Sequence, residues 1–150
     1  MKFLVTEECA RLARWLRLMG HDTALLPAQP LSELYRTAYQ ESRIIVTRNR
    51  RARPSRLFRM IQLDGRTLEE QLRQLMREAP LTIDATTVLG RCDRCNVLVE
   101  PIDKSLVKSR VPPYVYETQS TFHQCPSCRR IYWSATHEHR IRAFFSQLTP

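Results

Sequence analysis

Lys2-Phe3-Leu4-Val5, Leu12-Ala13-Arg14-Trp15-Leu16 and Thr23-Ala24-Leu25-Leu26 follow one another within the first 26 residues, and together they spell strand, helix, strand. The first is a short apolar run of the kind that forms a buried strand. Across residues 7–19, Leu12, Trp15, Leu16 and Met19 recur at helical spacing, while Arg11, Arg14 and Arg17 line another face. Thr6 is placed to cap that helix, Glu7 and Glu8 suit its positive end, and Gly20 suits its close. The alternation continues along the chain. Residues 31–40 read as a helix with Leu34, Tyr35 and Ala38 inward, and residues 43–47 as a buried strand around Ile44-Ile45-Val46. A fourth strand is expected over residues 57–63. Residues 67–78 read as a helix with Leu68, Leu72, Leu75 and Met76 inward. Strands alternating with helices predict an α/β fold, a mostly parallel sheet flanked by helices. Ligands of such sheets collect beyond the carboxyl ends of the strands, here near Thr6, Leu26, Arg48-Asn49 and Asp64.

Outward from that core the composition changes. The 150 residues suit one domain, or one domain with a small module attached. The polar stretch Asp84-Ala85-Thr86-Thr87 and Gly90 mark a joint, so domains are expected at 1–90 and 91–150. Four of the five cysteines lie beyond it, as Cys92-Asp93-Arg94-Cys95 and Cys125-Pro126-Ser127-Cys128. Two such pairs supply four soft thiolates for one tetrahedral ion and predict a four-cysteine zinc ribbon, followed by a C-terminal helix. Redox pairs or an iron–sulfur cluster are the alternatives. About sixty residues bury too little apolar surface to fold firmly alone, so the zinc would be structural. Cys9, inside a helix and tied to no histidine, reads as a small apolar filler. His137 lies just past Tyr132-Trp133 and reads as a structural histidine or an aid to binding or catalysis.

The apolar share, 43%, excludes wholesale disorder. No run approaches the ~20 apolar residues of a membrane span. Thr6-Glu7-Glu8 interrupts the apolar start where a secretory signal would continue, so a cytoplasmic setting with reduced thiols is expected. The net charge of +9, carried almost wholly by arginine, favours polyanions and above all nucleic acid. The densest segment holds Arg43, Arg48, Arg50, Arg51, Arg53, Arg56 and Arg59 without an intervening acid, and much of it follows the Ile44-Ile45-Val46 strand. Arg48, Arg50, Arg51 and Arg53 are therefore candidate phosphate contacts, with Arg11, Arg14 and Arg17 as a second stripe. Phe58 reads as core, with base stacking as the alternative.

Several longer motifs then occur in order. They are Lys2-Phe3-Leu4-Val5, Leu12-Ala13-Arg14-Trp15-Leu16-Arg17-Leu18, Gly20-His21-Asp22-Thr23 and Arg43-Ile44-Ile45-Val46-Thr47-Arg48. In the second part they are the cysteine pairs, Val111-Pro112-Pro113-Tyr114-Val115-Tyr116, Tyr132-Trp133 and His137. In these the chain resembles the Mut-seven carboxy-terminal RNase domain family, PIN-like nucleases with a fused zinc ribbon. The resemblance implies a PIN-like sandwich and RNA cleavage by Mg²⁺ or Mn²⁺ held by clustered carboxylates. Family members place an aspartate after the first strand and another after the Thr-Arg of the third. This chain has Thr6 and Asn49 there, and neither brings a negative charge to a cation.

Three readings follow. The first is an RNA-binding protein of ribonuclease ancestry that no longer cleaves. The second is a working metal-dependent ribonuclease that uses Asp22 and Glu33 instead, with Mg²⁺ or Mn²⁺ as cofactor. The third is a protein-interaction scaffold whose arginines meet an acidic partner.

Overall fold

The computed structural model describes residues 1–79, 81, 88–133, 141, 143, 144 and 146. They fall into two units. One comprises Met1–Arg17 and His21–Thr82, the other Leu18–Gly20 and Ile83–Pro150. The expected joint at 84–87, most of the expected C-terminal helix and His137 lie outside the described residues.

The first unit is α/β. Strands β1 (Lys2–Thr6), β2 (Asp22–Leu26), β3 (Ile44–Thr47) and β4 (Met60–Gln62) form one parallel sheet in the order β2-β1-β3-β4. Helices α1 (Ala10–Leu18), α2 (Leu31–Gln40) and α3 (Leu68–Glu78) flank it. Phe3, Leu4, Val5, Ile45 and Val46 are fully buried, so both faces of the central strands are covered. That is why these strands read as continuous apolar runs and show no alternation. On one face Leu4 and Ile45 pack with Leu34 and Ala38 of α2, and Tyr35 and Phe58 lie against this cluster. The rings of Tyr35 and Phe58 stack with centroids 4.9 Å apart, which gives Phe58 the packing role. The fourth strand is shorter than the predicted 57–63, because Leu57 points to solvent, 70% exposed.

Helix ends set the strand starts. After α1, Gly20 adopts φ 89° and the His21 N–H bonds the Leu16 carbonyl at 2.9 Å. After α2, Ser42 adopts φ 52° and the Arg43 N–H bonds the Ala38 carbonyl at 2.9 Å. Both are Schellman closures, in which a left-handed residue reverses the chain and satisfies an open carbonyl. They deliver Asp22 and Ile44 to the amino edge of the sheet. Helix α3 starts with a full capping box between Thr67 and Glu70.

The second unit carries an antiparallel sheet in the order β5-β6-β7, made of β5 (Glu100–Ile102), β6 (Phe122–Gln124) and β7 (Ile131–Trp133). Between β5 and β6 lie a 3-10 turn, Lys104–Val107, and helix α4 (Pro113–Thr118). This insertion gives the 111–116 motif its role. Val111 joins Val107 and Phe122 in a small core, Val115 and Tyr116 pack on it, and Pro113 opens α4 with φ already set for a helix.

Candidate functional site

At the carboxyl edge of the parallel sheet, β1 and β3 end side by side on Thr6 and Thr47. A 3-10 turn, Glu7–Cys9, replaces the expected first helical turn, and Thr6 makes no side-chain cap. Its hydroxyl goes elsewhere. Thr6 Oγ1 donates to Glu8 Oε1 at 2.6 Å and lies 2.8 Å from Thr47 Oγ1. Thr47 Oγ1 donates to the same Glu8 oxygen at 2.9 Å, and the Arg48 N–H adds a third bond at 3.0 Å. Asn49 N–H in turn donates to Thr47 Oγ1 at 3.0 Å. Every hydroxyl proton has an acceptor, so the network closes on itself. Burial opposes the Glu8 charge, but the bonds from Thr6, backbone N–H groups and Thr47 outweigh it and hold its pKa below the ordinary carboxylate value. Glu8 was not singled out by the sequence, since nothing separates it from Glu7 until the tight turn aims it at the strand ends.

The other acids of this edge are engaged as well. Glu7 Oε2 accepts from the Ala28 N–H at 3.0 Å and tethers the loop after β2. Asp64, just past β4, pairs with Arg50. A cavity of about 400 Å³ opens between these elements, lined by Thr6, Glu7, Glu8, Asn49 and the apolar Leu26 and Leu31. A larger hollow of about 700 Å³, around Asp64, Arg66, Glu70 and Arg77, is built from groups that bond one another: Asp64 N–H to Gln74, and Arg66 N–H to Glu70.

Asp22 is not brought to this edge, whereas Glu33 stands on its side of the sheet, because α2 begins just after β2 ends at Leu26. Asp22 begins β2 opposite Lys2, whereas Thr6 pairs with Leu26. Four strand residues separate the two ends, roughly 13 Å. There Arg43 Nη1 bonds Asp22 at 2.8 Å and the Phe3 carbonyl at 3.2 Å, and Arg43 Nε bonds Glu41 at 2.5 Å. Burial works against the Arg43 charge, yet these acids raise its pKa, so the cluster is a structural clamp. Glu33 lies in the first turn of α2 and pairs with Arg36.

The arginines divide in the same way. Arg48, Arg50, Arg51 and Arg53 follow β3 at the carboxyl edge, and all but the half-buried Arg48 are exposed. Asn49 shapes their loop: its Oδ1 accepts the Arg51 N–H, and its carbonyl accepts the Ala52 N–H and Gln62 Nε2. Arg53 Nη1 bonds the Arg50 carbonyl at 2.6 Å. Arg11 and Arg14 are exposed on α1. Arg17 departs from the expected stripe. It is 6% exposed, and its Nε donates to the Thr23 carbonyl at 2.8 Å, so it braces α1 on β2 and offers no open face to a phosphate.

In the second unit, the sulfurs of Cys92, Cys95, Cys125 and Cys128 lie within 4.8 Å of one another. Four thiolates around zinc at about 2.3 Å stand about 3.8 Å apart. The Cys92–Cys128 separation of 3.6 Å is already such an edge. The two turns are alike. Cys95 N–H points at Cys92 Sγ at 3.3 Å, and Cys128 N–H at Cys125 Sγ at 3.4 Å. Asn96 and Arg129, the next residue of each turn, have φ 63° and 65°. The cluster therefore fits a structural zinc site, with these four sulfurs as ligands. Tyr132 Oη stands 3.1 Å from Cys92 Sγ and 2.8 Å from Asp93 Oδ1. Burial, with Cys92 and Asp93 beside it, pushes its pKa up and keeps it a donor. Cys9 is separate from this cluster. Burial, with Glu8 beside it, raises its pKa to about 11, which leaves an inert thiol.

Residues 1–145 match the family model described as the Mut7-C RNAse domain. No curated protein and no solved structure matches the chain. No described helix is long and apolar enough to cross a membrane.

Proposed function

The chain belongs to the Mut7-C RNase domain family, and from that premise we propose that it binds RNA without cleaving it. Membership supports a nuclease-related, RNA-associated domain. The finer reading rests on one observation: three donors, two of them hydroxyls, converge on Glu8 where the strand ends would need carboxylates to hold a cation. Mg²⁺ prefers several hard anionic oxygens. Thr6 and Thr47 supply none, and Glu7, Glu8 and Asp64 already serve protein donors. The remote Asp22 argues against the alternative ribonuclease that uses Asp22 and Glu33. The basic loop of Arg48, Arg50, Arg51 and Arg53 lies beside this edge, where it favours a phosphate backbone over a cation.

The test is binding and cleavage of labelled single-stranded RNA with Mn²⁺, Mg²⁺ or EDTA, at several salt concentrations. Binding should weaken with salt. Arg48→Ala/Arg50→Ala/Arg51→Ala should flatten the log–log salt slope by about 2, at about 0.7 per phosphate contact on a single strand. No cleavage is expected. Thr6→Asp/Asn49→Asp should gain metal-dependent cleavage, because it returns two anionic ligands. Cleavage by the unaltered protein would refute the non-cleaving reading. Affinity for an acidic protein with none for RNA would select the scaffold instead.

A further inference from the structure

We propose that Tyr132 is a positioning residue of the four-cysteine metal centre: its hydroxyl, shared between Cys92 and Asp93, tunes the donor strength of the Cys92 thiolate and the hold on the ion. The proposal rests on the reading that the cluster binds a metal.

The geometry is specific. Tyr132 lies on β7 and is buried, with its oxygen 3.1 Å from Cys92 Sγ and 2.8 Å from Asp93 Oδ1. A phenol carries one proton, so it serves one acceptor at a time. Asp93 is 4% exposed and sits between the ligand Cys92 and Arg94. Arg130 Nη1 approaches the same Asp93 oxygen at 3.5 Å. A buried carboxylate next to thiolates is unfavourable unless donors compensate it, and Tyr132 and Arg130 are those donors. A hydrogen bond to a metal-bound thiolate withdraws charge from the sulfur. The division of the Tyr132 proton between sulfur and carboxylate therefore sets how strongly Cys92 donates. Outer partners of metal ligands commonly change affinity 10- to 100-fold when removed.

Cobalt(II), which takes the same tetrahedral thiolate geometry, makes this visible as sulfur-to-metal charge-transfer bands. The full chain loaded with cobalt would be compared with Tyr132→Phe and Asp93→Asn, and zinc affinity measured by chelator competition. Tyr132→Phe keeps the ring and removes only the oxygen. Its bands should move to longer wavelength, and the zinc affinity should change by about 10- to 100-fold. Asp93→Asn weakens the competing acceptor, leaves more of the proton on sulfur, and should move the bands to shorter wavelength. Unmoved bands in Tyr132→Phe, with or without lost affinity, would overturn the proposal, since packing alone changes affinity but not band energy. Should Tyr132→Phe fail to fold, Asp93→Asn decides alone, and bands unmoved or shifted to longer wavelength would overturn it. An unaltered protein without such bands would remove the metal reading, and the proposal with it.

Discussion

Neighbouring residues of the same type have opposite fates here. Glu7 and Glu8 are adjacent, yet one tethers a loop and the other receives three donors at the strand ends. Arg14 and Arg17 share a helix, yet one is exposed and the other buried. His21 shows the same dependence on placement. Its Nε2 is buried with no hydrogen-bond partner among the described residues, and its ring meets Phe3 edge-on at 5.8 Å. Burial first, and the N-terminal ammonium second, lower its pKa to about 4 from 6.5. Between those values the unfolded chain binds the proton and the folded one does not. Stability is therefore full above about pH 6.5 and falls as pH drops toward 4, by up to about 3 kcal/mol. Urea midpoints between pH 4 and 7.5 should show this, and His21→Gln should have a shallower fall. The difference between the two proteins cancels thiolate protonation, which is common to both.

Helix ends matter more than helix middles for placing the site. Two Schellman closures start β2 and β3, and the Asp22–Arg43 pair joins the segments they deliver. That pair accounts for Asp22 as a structural acid. At α3 the capping box satisfies two open N–H groups. Thr67→Ala removes one partner and should lower stability by about 1 kcal/mol, read as a lower urea midpoint with an unchanged slope. A larger loss accompanied by a changed slope would mean that the cap supports more than its helix. Gly65 marks the same corner, since a Cβ there would stand 2.6 Å from the Glu70 Cβ.

Across the whole molecule the two units depend on different forces. Among its described residues, the first fully buries Phe3, Leu4, Leu12, Ile45, Leu72 and Leu75. Among the described residues the second holds two small clusters, one of them built on Cys92, Cys125 and Tyr132 themselves. Metal binding is expected to supply folding energy there. Stripping zinc with a strong chelator should abolish amide protection in β5–β7 while β1 and β3 keep theirs, as hydrogen exchange would report. Protection lost equally from both sheets would mean that the first core does not stand by itself.

Periodicity was enough for the helices, because their apolar stripes recur at 3.6 residues, and for the parallel sheet, because its strands are apolar on both faces. The spacing of Cys92 with Cys95 and of Cys125 with Cys128 was enough to mark each as a ligand pair, because both sulfurs of a pair converge within one local turn, while the meeting of the two pairs across 36 residues needed the fold. Thr6 and Asn49 were marked through the resemblance to the family, which implies aspartates at those two positions. What needed the folded chain was contact across long separations. Glu8 meets Thr47 from 39 residues away, Arg43 meets Asp22 from 21, and Tyr132 meets Cys92 from 40. Such contacts depend on strand order and register, which periodicity does not encode. They are what remove Asp22 from the carboxyl edge and close the hydrogen-bond network around Glu8.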